Sequence, residues 1–592
     1  MFKKVLVANR GEIAIRVFRA LKELDVQSVA VYSDADKDAL FVQHADEAYG
    51  LGEGAANETY LVIDKIIDVA KRSGAEAIHP GYGFLAENAE FAQRCQDEAI
   101  VWIGPPPSAI DSMGSKTNAR ELMAAAGVPI VPGTTEPVDT VDDARALIDA
   151  EIGYPVAVKA ASGGGGKGFR VALTADELQE AFEGASREGE KFFADGTVYL
   201  ERYLPNPRHV EVQVIADNEG NVIHLGERDC SVQRRHQKLI EEAPAPAVDA
   251  EMRARIGEIG VNAAKAVNYR GAGTIEGMLQ DGEYYFLEMN TRVQVEHCVT
   301  EEVTGIDIVK EGIRVASGQA LSVKQEDVEL RGHSIECRIN FEDAAKNFAP
   351  APGKIGNFVG AYVEPSGPGI RVDSGVTNGS EISPLYDPMA AKLIVWAESR
   401  EEATKRMIRA LNEYKIDATT LIPFHIGLLE SEQWNNGETC KDLTEDKKWL
   451  KQFAKPKPAA PADGEEPAEL VKKTYTVEVS GKRFDVKVEG EAGGFGGGGS
   501  APSGKKAPKR AERAGGSNNG ASSEALTSPL QGSVFKVQTE VGADVSEGDV
   551  LFIIEAMKME NEITAHRSGK VESLSAGEGD SVSAGDTLAI IK

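Results

Sequence analysis

Polar side chains occupy every second position between residues 288 and 296, and their types suit chemistry on an anion and a phosphate. They are Glu288, Asn290, Arg292, Gln294 and Glu296, and the apolar Met289, Val293 and Val295 stand between them. Because side chains alternate across a strand, an extended segment would place all five polar groups on one face. Carboxylate and amide oxygens are ligands that Mg²⁺ prefers, and Glu276, in GTIEGML, adds another carboxylate. A solvated outer strand shows the same alternation, so the pattern alone leaves both interpretations open.

A glycine-rich loop follows the apolar segment that ends at Lys159. Its consecutive glycines are Gly163, Gly164, Gly165 and Gly166, and Lys167 and Gly168 come next. Backbone N–H groups in such a loop approach phosphate oxygens closely, and Lys159 and Lys167 add positive charge. No Ser or Thr follows Lys167 and no G-x-G-x-x-G follows the first predicted strand, which excludes a Walker A loop and a Rossmann fingerprint. A flexible hairpin turn is the alternative.

The C-terminal segment contains an internal repeat with a lysine between its halves. Residues 532–554 and 569–591 match at a constant offset of 37, with 10 identities in 23 positions. Two similar β-units are expected to pack on each other, because one alone has no partner for its apolar face. EAMKMEN follows the first repeat directly, which predicts that Lys558 lies at a hairpin tip, within reach of a modifying enzyme. An ordinary solvated lysine is the alternative.

These motifs carry a resemblance to known families. Residues 528–592 resemble the biotinyl and lipoyl carriers, and Met-Lys-Met around Lys558 is the biotin form, whereas lipoyl carriers usually have Asp-Lys-Ala. Residues 1 to about 450 are similar to biotin carboxylases of the ATP-grasp superfamily. The likeness rests on the glycine loop, the 288–296 segment, ANRGEIA, HPGYGFLAEN (His79–Asn88), GSK (Gly114–Lys116), RRHQK (Arg234–Lys238) and ECRIN (Glu336–Asn340).

The resemblance implies which residues carry out the chemistry. Glu296 would act as the general base on bicarbonate, and Arg292, Gln294 and Val295 would cradle that anion. Arg338 would lie near the ureido oxygen of biotin. Bicarbonate is a poor nucleophile until it loses its proton, so a carboxylate beside a guanidinium suits an attack on the γ-phosphate of ATP. Carboxyphosphate and ADP would form first, and carbon dioxide from carboxyphosphate would then carboxylate biotin.

The resemblance also assigns residues to ATP, to the metal and to biotin. The ATP phosphates would be held by Lys116, Lys159, Gly163, Gly164, Gly165 and Gly166, and the adenine would be bordered by Glu201 and Leu204. The nucleotide and bicarbonate region would be lined by His209, Gln233, His236 and the catalytic Lys238. Mg²⁺ or Mn²⁺ would be bound by Glu276, Glu288 and Asn290, and biotin would be attached covalently to Lys558. Ordinary structural roles for His209 and His236 stay open, and Cys230 is better explained as a buried thiol than as a catalyst.

The resemblance covers a carboxylase and a carrier but no carboxyltransferase. It therefore implies a biotin protein ligase, a homo-oligomer of this chain within an α/β hetero-oligomer, and a separate carboxyltransferase β subunit. The layout is similar to the α subunits of actinobacterial acetyl-/propionyl-CoA carboxylases, which implies a ligase of fatty acid biosynthesis. A subunit of a pyruvate carboxylase or of a biotin-dependent decarboxylase is the alternative enzyme. A biotinylated carrier protein with an inactive ATP site is the alternative outside the enzymes.

The elements that must position these residues belong to several folded units. Short β-branched runs at Val5–Ala8, Ser28–Tyr32 and Val156–Lys159 alternate with helix-period stretches such as Gly11–Leu24, which indicates an α/β architecture. With the resemblance, the predicted fold class is multi-domain: an α/β N-terminal domain (1–115), an ATP-grasp α+β domain (116–330), an α+β biotin carboxylase C-terminal domain (331–450) and an all-β biotinyl, lipoyl-like carrier domain (525–592).

Two linkers are predicted between the last two of these domains. Residues 451–470 are rich in Pro and Ala and residues 491–524 in Gly, Ser and Lys, so both lack the apolar residues that would offset chain entropy. They flank a small β-hairpin predicted at 471–490. As a flexible chain, the second linker would span about 30 Å, enough for a carrier to move between sites. Its basic run, KKAPKRAER, is better explained as a solvated charge run than as a docking patch.

The composition excludes several classes of protein. The net charge of −29 argues against capture of nucleic acid, because a phosphate backbone requires a basic surface. No apolar run approaches the ~20 residues of a membrane helix, so no membrane is expected. The five cysteines are scattered without paired spacing, which indicates no disulfide framework and no zinc site, and fits a reducing cytoplasm. MFKKVLVANRGE has neither a signal nor a transit pattern, so Met1 is the expected mature start.

Overall fold

The computed structural model describes most of the chain. The described residues are 1–114, 116–134, 136–160, 169–193, 196–235, 237–454, 470–479, 482–491, 524–528, 532–556, 559–582 and 585–592. None of the helices in these ranges combines the length and the hydropathy that a membrane crossing requires. All five cysteines are buried and have free thiols.

The N-terminal part is built on a parallel sheet of five strands. In spatial order the strands are Glu47–Gly52, Gln27–Ser33, Lys4–Val7, Ala77–His79 and Val101–Trp102. The helices of this part are Gly11–Glu23, Leu40–His44, Ile63–Ser73, Ala89–Asp97 and Pro107–Gly114. Parallel sheets are covered on both faces, and Leu6 and Val7 of the central strand are accordingly inaccessible to solvent. Ile13, Val17 and Leu21 form the buried stripe of the first helix, as their spacing predicts.

A small unit with a three-stranded antiparallel sheet follows in the chain. Its strands, in spatial order, are Phe169–Ala172, Val156–Ala160 and Val198–Arg202. Its helices are Val141–Leu147 and Leu178–Phe193, and the helix Lys116–Ala125 precedes it. Val158, Leu178 and Leu200 share its buried core, so this unit has an apolar centre of its own.

An antiparallel sheet of eight strands forms the middle of the molecule. In spatial order the strands are Glu283–Asn290, Gly271–Gln280, Arg208–Ala216, Val222–Arg234, Gln237–Ala243, His333–Asn340, Met389–Ala397 and Ile370–Ser374. The sheet continues across the division predicted between residues 330 and 331, because Gln237–Ala243 pairs with His333–Asn340. The helices that follow these strands in the chain are Ala250–Ala266, His297–Thr304, Ile308–Ala316, Arg400–Glu413, Ile422–Leu429, Glu432–Asn435, Lys441–Glu445 and Lys447–Leu450.

Short two-stranded pairs complete this part of the chain. They are Glu342–Asp343 with Ala349–Pro350, Gly353–Lys354 with Glu381–Ile382, and Tyr362–Val363 with Lys415–Ile416. Further along, Leu470–Val479 and Lys482–Glu491 pair as antiparallel strands from Leu470 opposite Glu491 to Val479 opposite Lys482. These two strands lie where the sequence predicts a small hairpin.

The C-terminal unit consists of two four-stranded sheets. One contains Ala525–Thr527, Thr587–Ile591, Gly569–Leu574 and Asp544–Val545, and the other contains Met559–Thr564, Val550–Ala556, Gly532–Val537 and Ser581–Val582. Each repeat supplies strands to both sheets, so neither half completes a sheet alone. The repeat extends to single hydrogen bonds: Gly542 N–H donates to the Val571 carbonyl and Gly579 N–H to the Val534 carbonyl, both at 2.7 Å. Both glycines have positive φ, which explains why the repeat retains glycine there.

We expect Phe552→Ala to destabilise the C-terminal unit strongly. Phe552 is inaccessible to solvent in the core of this unit, so its loss leaves a cavity and lowers the free energy of unfolding by about 3–5 kcal/mol. Phe535 is 49% exposed and is the matched control; its replacement by alanine is expected to change the unfolding free energy by about 0.5 kcal/mol or less. Hydrogen exchange of peptides from residues 532–592 in the full chain measures both changes, and equal effects would contradict this core.

Candidate active site

A cleft of about 870 Å³ lies against the eight-stranded sheet. Of the residues predicted for the site, the cleft is lined by His209, Gln233, Lys238, Glu276, Glu288, Asn290, Arg292, Gln294, Val295, Glu296 and Arg338. They come from six strands of the sheet and from the turn that follows the strand Glu283–Asn290. Neighbouring strands lie about 4.8 Å apart, so the sheet brings side chains together that are more than a hundred positions apart in the sequence.

Lys238 lies at the centre of the cleft, where its ammonium group contacts three carboxylates. Nζ donates to Glu211 Oε2 at 2.6 Å, to Glu276 Oε1 at 2.8 Å and to Glu296 Oε1 at 2.6 Å. Burial lowers the pKa of Lys238, but the carboxylates of Glu211 and Glu296 outweigh burial and raise it well above its usual value. Lys238 therefore stays protonated and shares its charge among the three acids.

The Glu296 carboxylate is held between two cations. Oε1 accepts from Lys238, and Oε2 accepts from Arg338 Nη2 at 2.9 Å. Arg338 is itself oriented by Glu241, whose Oε1 accepts from Nε at 2.6 Å. Burial raises the pKa of Glu296, but Lys238 and Arg338 lower it more, so its pKa lies below the usual value. Glu296 is therefore ionised, the form that a proton acceptor requires.

The prediction of one extended segment from residue 288 to 296 is wrong beyond Asn290. The strand Glu283–Asn290 ends there, the chain turns, and Glu296 precedes the helix His297–Thr304. The five polar groups nevertheless line one cleft, because the turn directs Gln294 towards Glu276 and Glu296 towards Lys238. Gln294 Nε2 donates to Glu276 Oε1 at 2.5 Å. Tertiary hydrogen bonds, rather than strand alternation, bring these side chains together.

Arg228, which the sequence interpretation missed, supports the cleft from below and is inaccessible to solvent. Nε donates to Glu211 Oε1 at 2.6 Å, and Nη1 donates to Gln213 Oε1 at 2.8 Å and to Thr300 Oγ1 at 2.9 Å. Nη2 donates to Gln294 Oε1 at 2.7 Å. The alternating polar residues of RHVEVQVIA include its partners Glu211 and Gln213 but not Arg228 itself.

The sequence analysis also missed two further carboxylates, Glu87 and Glu241. Glu87, in HPGYGFLAEN, reaches the site from the N-terminal part: its Oε2 accepts from Arg292 Nε at 2.9 Å and its Oε1 from the Thr291 N–H at 3.1 Å. Glu241, which orients Arg338, is inaccessible to solvent, and burial raises its pKa to about 7 despite the nearby guanidinium. No spacing in the sequence links either residue to the 288–296 segment, because both contacts are long-range.

The residues predicted to bind the metal lie on adjacent strands. Glu276 and Glu288 are cross-strand partners, and Asn290 is two positions beyond Glu288. Two carboxylates and an amide oxygen on one edge of a cleft fit the hard oxygen ligands of Mg²⁺. Glu276 is also close to two cations: its Oε1 accepts from Lys238, and its Oε2 lies 3.0 Å from His209 Nε2. Burial lowers the pKa of His209, but Glu211 and Glu276 raise it more, to about 9.

Several predicted residues do not lie in this cleft or are not described. Lys159 Nζ donates to Glu201 Oε1 at 2.5 Å in the small three-stranded unit, and Arg120 Nη1 lies 3.2 Å from Glu201 Oε2. Neither Lys159 nor Glu201 lines the 870 Å³ cleft, and Leu204 does not line it either. Lys116 is the first residue of the helix Lys116–Ala125. The glycines Gly163, Gly164, Gly165 and Gly166, together with His236 and Lys558, lie outside the described residues.

Family models match four successive segments of the chain. They are the biotin carboxylase N-terminal domain at residues 1–110, the ATP-binding domain of the carbamoyl-phosphate synthase L chain at 115–324, the biotin carboxylase C-terminal domain at 336–446, and the biotin-requiring enzyme model at 524–591. The chain belongs to the biotin carboxylase family. It is a biotin carboxylase with a biotinyl carrier domain, and the matches confirm the predicted fold class and the predicted use of ATP and biotin.

Curated relatives of this carboxylase differ in how much of it they cover. The biotin-dependent acyl-coenzyme A carboxylase alpha3 subunit of Mycobacterium leprae is 45% identical over 596 residues, which cover 100% of this chain and 98% of the relative. A pyruvate carboxylase subunit of Methanothermobacter thermautotrophicus is 54% identical over 439 residues, which cover 74% of this chain and 88% of the relative. The first of these matches therefore includes the carrier domain.

Solved structures match the carboxylase part of the chain. The biotin carboxylase domain dimer of the Hydrogenobacter thermophilus 2-oxoglutarate carboxylase, in complex with MgADP, ADP and bicarbonate, has a TM-score of 0.69 and 48% identity, and the match covers 77% of this chain and 100% of that one. The biotin carboxylase subunit of a pyruvate carboxylase has a TM-score of 0.70 and 48% identity, over 76% of this chain and 99% of that one. Both matches are consistent with the fold described above.

We expect Arg228→Met to destabilise the carboxylase by about 3–5 kcal/mol, because it leaves buried acceptors on Glu211, Gln213 and Gln294 with one cation fewer. Arg255→Met is the matched control: Arg255 pairs with Glu283 at the surface, and exposed pairs contribute about 1 kcal/mol or less. Denaturant unfolding followed by tryptophan fluorescence measures both. A loss below about 1 kcal/mol for Arg228→Met would contradict a supporting role.

Proposed function

We propose that this chain carboxylates biotin on Lys558 with ATP and bicarbonate, and supplies the carboxyl group to a separate carboxyltransferase subunit that acts on acetyl-CoA or propionyl-CoA. The observation that carries the proposal is the ionised Glu296 between Lys238 and Arg338, in a cleft on a chain that also has a biotinyl carrier domain. A carrier-only protein with an inactive ATP site would have no reason to retain this arrangement of buried charges.

The first half-reaction uses Glu296 as its base. Glu296 takes the proton of bicarbonate while Arg292, Gln294 and Val295 hold the anion, and a bicarbonate oxygen attacks the γ-phosphorus as ADP leaves. The ATP phosphates are held by Lys116, Lys159, Gly163, Gly164, Gly165 and Gly166, the adenine is bordered by Glu201 and Leu204, and the surrounding wall includes His209, Gln233 and His236. Glu276, Glu288 and Asn290 would hold Mg²⁺, which would supply positive charge to neutralise the phosphoryl oxygens.

The ion pair between Glu296 and Lys238 makes Glu296 a stronger base only when bicarbonate is in place. Two cations beside the Glu296 carboxylate weaken it as a base, which is why its pKa lies below the usual value. Bicarbonate brings a negative charge of its own into the cleft, where Lys238 and Arg292 can pair with it. Loss of part of the contact with Lys238 then raises the basicity of Glu296 when its substrate is in place.

The second half-reaction transfers the carboxyl group to biotin. Carboxyphosphate breaks down to carbon dioxide and phosphate, and the phosphate takes the proton of the ureido nitrogen, which then bonds to carbon dioxide. Arg338 faces the same cleft and stabilises negative charge on the ureido oxygen. Its bond to Glu241 keeps the guanidinium in one orientation for this task.

Two observations support an acyl-CoA as the final acceptor. The full-length match to an acyl-coenzyme A carboxylase alpha subunit includes the carrier, and the relative is covered almost completely. The match to the pyruvate carboxylase relative covers the carboxylase part only, which favours pyruvate less. The four matched segments are those of a carboxylase and a carrier, and the proposal therefore also includes a biotin protein ligase, a homo-oligomer within an α/β assembly, and a separate carboxyltransferase β subunit.

The proposal is tested by ATP cleavage that depends on bicarbonate and is stimulated by free biotin. Correctly folded chain without this activity would favour the carrier-only alternative. Assays of the chain with its co-purified partner on acetyl-CoA, propionyl-CoA and pyruvate then identify the acceptor. Carboxylation of pyruvate alone would overturn the acyl-CoA part of the proposal and leave the first half-reaction intact.

We expect Glu296→Gln to slow biotin-dependent ATP cleavage by about 10²-fold or more, because an amide cannot accept the proton of bicarbonate. ATP affinity should change by about twofold or less, since Glu296 contacts Lys238 and Arg338 rather than the predicted phosphate-binding residues. Steady-state kinetics give the rate, and equilibrium dialysis with a non-hydrolysable ATP analogue gives the affinity. An equal loss of both would argue against Glu296 as the base.

We expect Lys558→Ala to abolish biotin labelling and overall acyl-CoA carboxylation but to leave ATP cleavage with free biotin unchanged, because the two activities belong to separate units. Lys570→Ala is the matched control, since Lys570 is an exposed lysine in the same carrier domain. Mass spectrometry of chain produced with an active ligase measures labelling. Full labelling of the Lys558→Ala chain would assign biotin to another residue, and loss of the free-biotin activity would contradict the two-unit interpretation.

A further inference from the structure

Three adjacent strands present charged residues to the segment that forms the anion side of the cleft. Lys392 is the cross-strand partner of Arg338 on one side and of Asp373 on the other. Side chains that are direct partners in a sheet stand on the same face. Arg338 contacts Glu296 from this face, so Lys392 is directed towards the same part of the chain.

Lys392 donates a hydrogen bond to Val295, the residue before Glu296. Its Nζ donates to the Val295 carbonyl oxygen at 2.7 Å and lies 3.1 Å from Cys298 Sγ. Glu12 Oε2 and Asp373 Oδ2 are farther away, at 3.6 Å and 3.9 Å. The side chain has no solvent exposure. The short hydrogen bond that Lys392 donates to an oxygen atom is therefore the one to the Val295 carbonyl, which belongs to the backbone of the cleft. The carboxylates of Glu12 and Asp373 only balance its charge.

A buried lysine at this position is unfavourable in free energy. A fully buried ammonium group loses its hydration, and an apolar side chain of similar length would fill the same space without that cost. The partners of Lys392 offset part of this desolvation free energy but do not explain why a cation is needed. The contact that an apolar side chain would lose is the one to Val295.

Peptide geometry shows what the contact with Val295 controls. In a planar trans peptide the carbonyl of Val295 and the N–H of Glu296 point in opposite directions. With the carbonyl held against buried Lys392, the Glu296 N–H points away from Lys392, and both Val295 and Glu296 line the cleft. Arg338 fixes the side chain of Glu296 and Lys392 fixes the peptide just before it, so two cross-strand neighbours define the position of the base.

We propose that Lys392 is a positioning residue for bicarbonate: through the Val295 carbonyl it sets the orientation of the Val295–Glu296 peptide against the anion. The proposal rests on the proposed function of Glu296 and Val295 in the first half-reaction. It predicts a selective defect, because the partners of Lys392 among the described residues do not include the small three-stranded unit that holds Lys159 and Glu201.

The test replaces Lys392 with methionine in the full-length chain. We expect Lys392→Met to raise the KM for bicarbonate about tenfold or more, equivalent to about 1.4 kcal/mol, and to lower kcat, while the KM for ATP changes about twofold or less. Arg371→Met is the matched control. Arg371 is a cation of the same buried cluster, bonded to Asp373 and Glu301 and without a hydrogen bond to Val295 or Glu296 among the described residues. It should lose thermal stability and keep its KM for bicarbonate.

Separate outcomes distinguish the two proposals. Wild-type chain without bicarbonate-dependent ATP cleavage would overturn the proposed function itself. Active wild type together with an unchanged bicarbonate KM in Lys392→Met, or an equal rise in both KM values, would overturn the positioning role alone. If the methionine variant does not fold, Lys392→Gln carries the test, because its side chain stays polar but is one atom shorter, so its N–H no longer reaches the Val295 carbonyl as Lys392 Nζ does. Its bicarbonate KM should exceed that of wild type, and an unchanged KM would overturn the role.

Discussion

Compensation of buried charge around Lys238 is the constraint on which the active site depends. Glu211, Glu276 and Glu296 surround one ammonium group, and three acids so close together cannot all stay ionised without further cations. Arg228 supplies one from below and Arg338 another from the side. In the proposed mechanism substrate binding changes this balance, because bicarbonate and ATP add negative charge and Mg²⁺ adds positive charge. The arrangement is therefore both a stabilising network and the machinery that responds to substrates.

The continuous eight-stranded sheet makes this network possible. It joins strands from the ATP-binding segment to strands from the C-terminal segment, so that Lys238 and Arg338 reach the same carboxylate from either side of a segment boundary. The N-terminal part contributes Glu87, which holds Arg292. Three sequence segments that match separate family models therefore share one site. A change in the contact between these segments would alter the chemistry directly, because no single segment contains all the groups.

The carrier shows a different use of the same physical rules. Each of its two repeats supplies strands to both sheets, so the two repeats share one apolar core. A single repeat is too short to form such a core. The paired ends of the strands Val550–Ala556 and Met559–Thr564 flank the lysine that is proposed to carry biotin. Chemistry and transport are thus separated in the proposed function: one unit depends on buried charge, and the other depends on an apolar core.

The sequence by itself determined the family, the order of the units, the repeat in the carrier and eleven of the residues that line the cleft, because these depend on local motifs and on spacing along the chain. It was wrong about how residues 291–296 reach the cleft, since strand alternation predicts a straight segment and only the contacts of Gln294 and Glu296 show the turn. The tertiary structure alone revealed Arg228, Glu87 and Lys392. Their importance comes from long-range partners and complete burial, and neither property leaves a periodic pattern in the sequence.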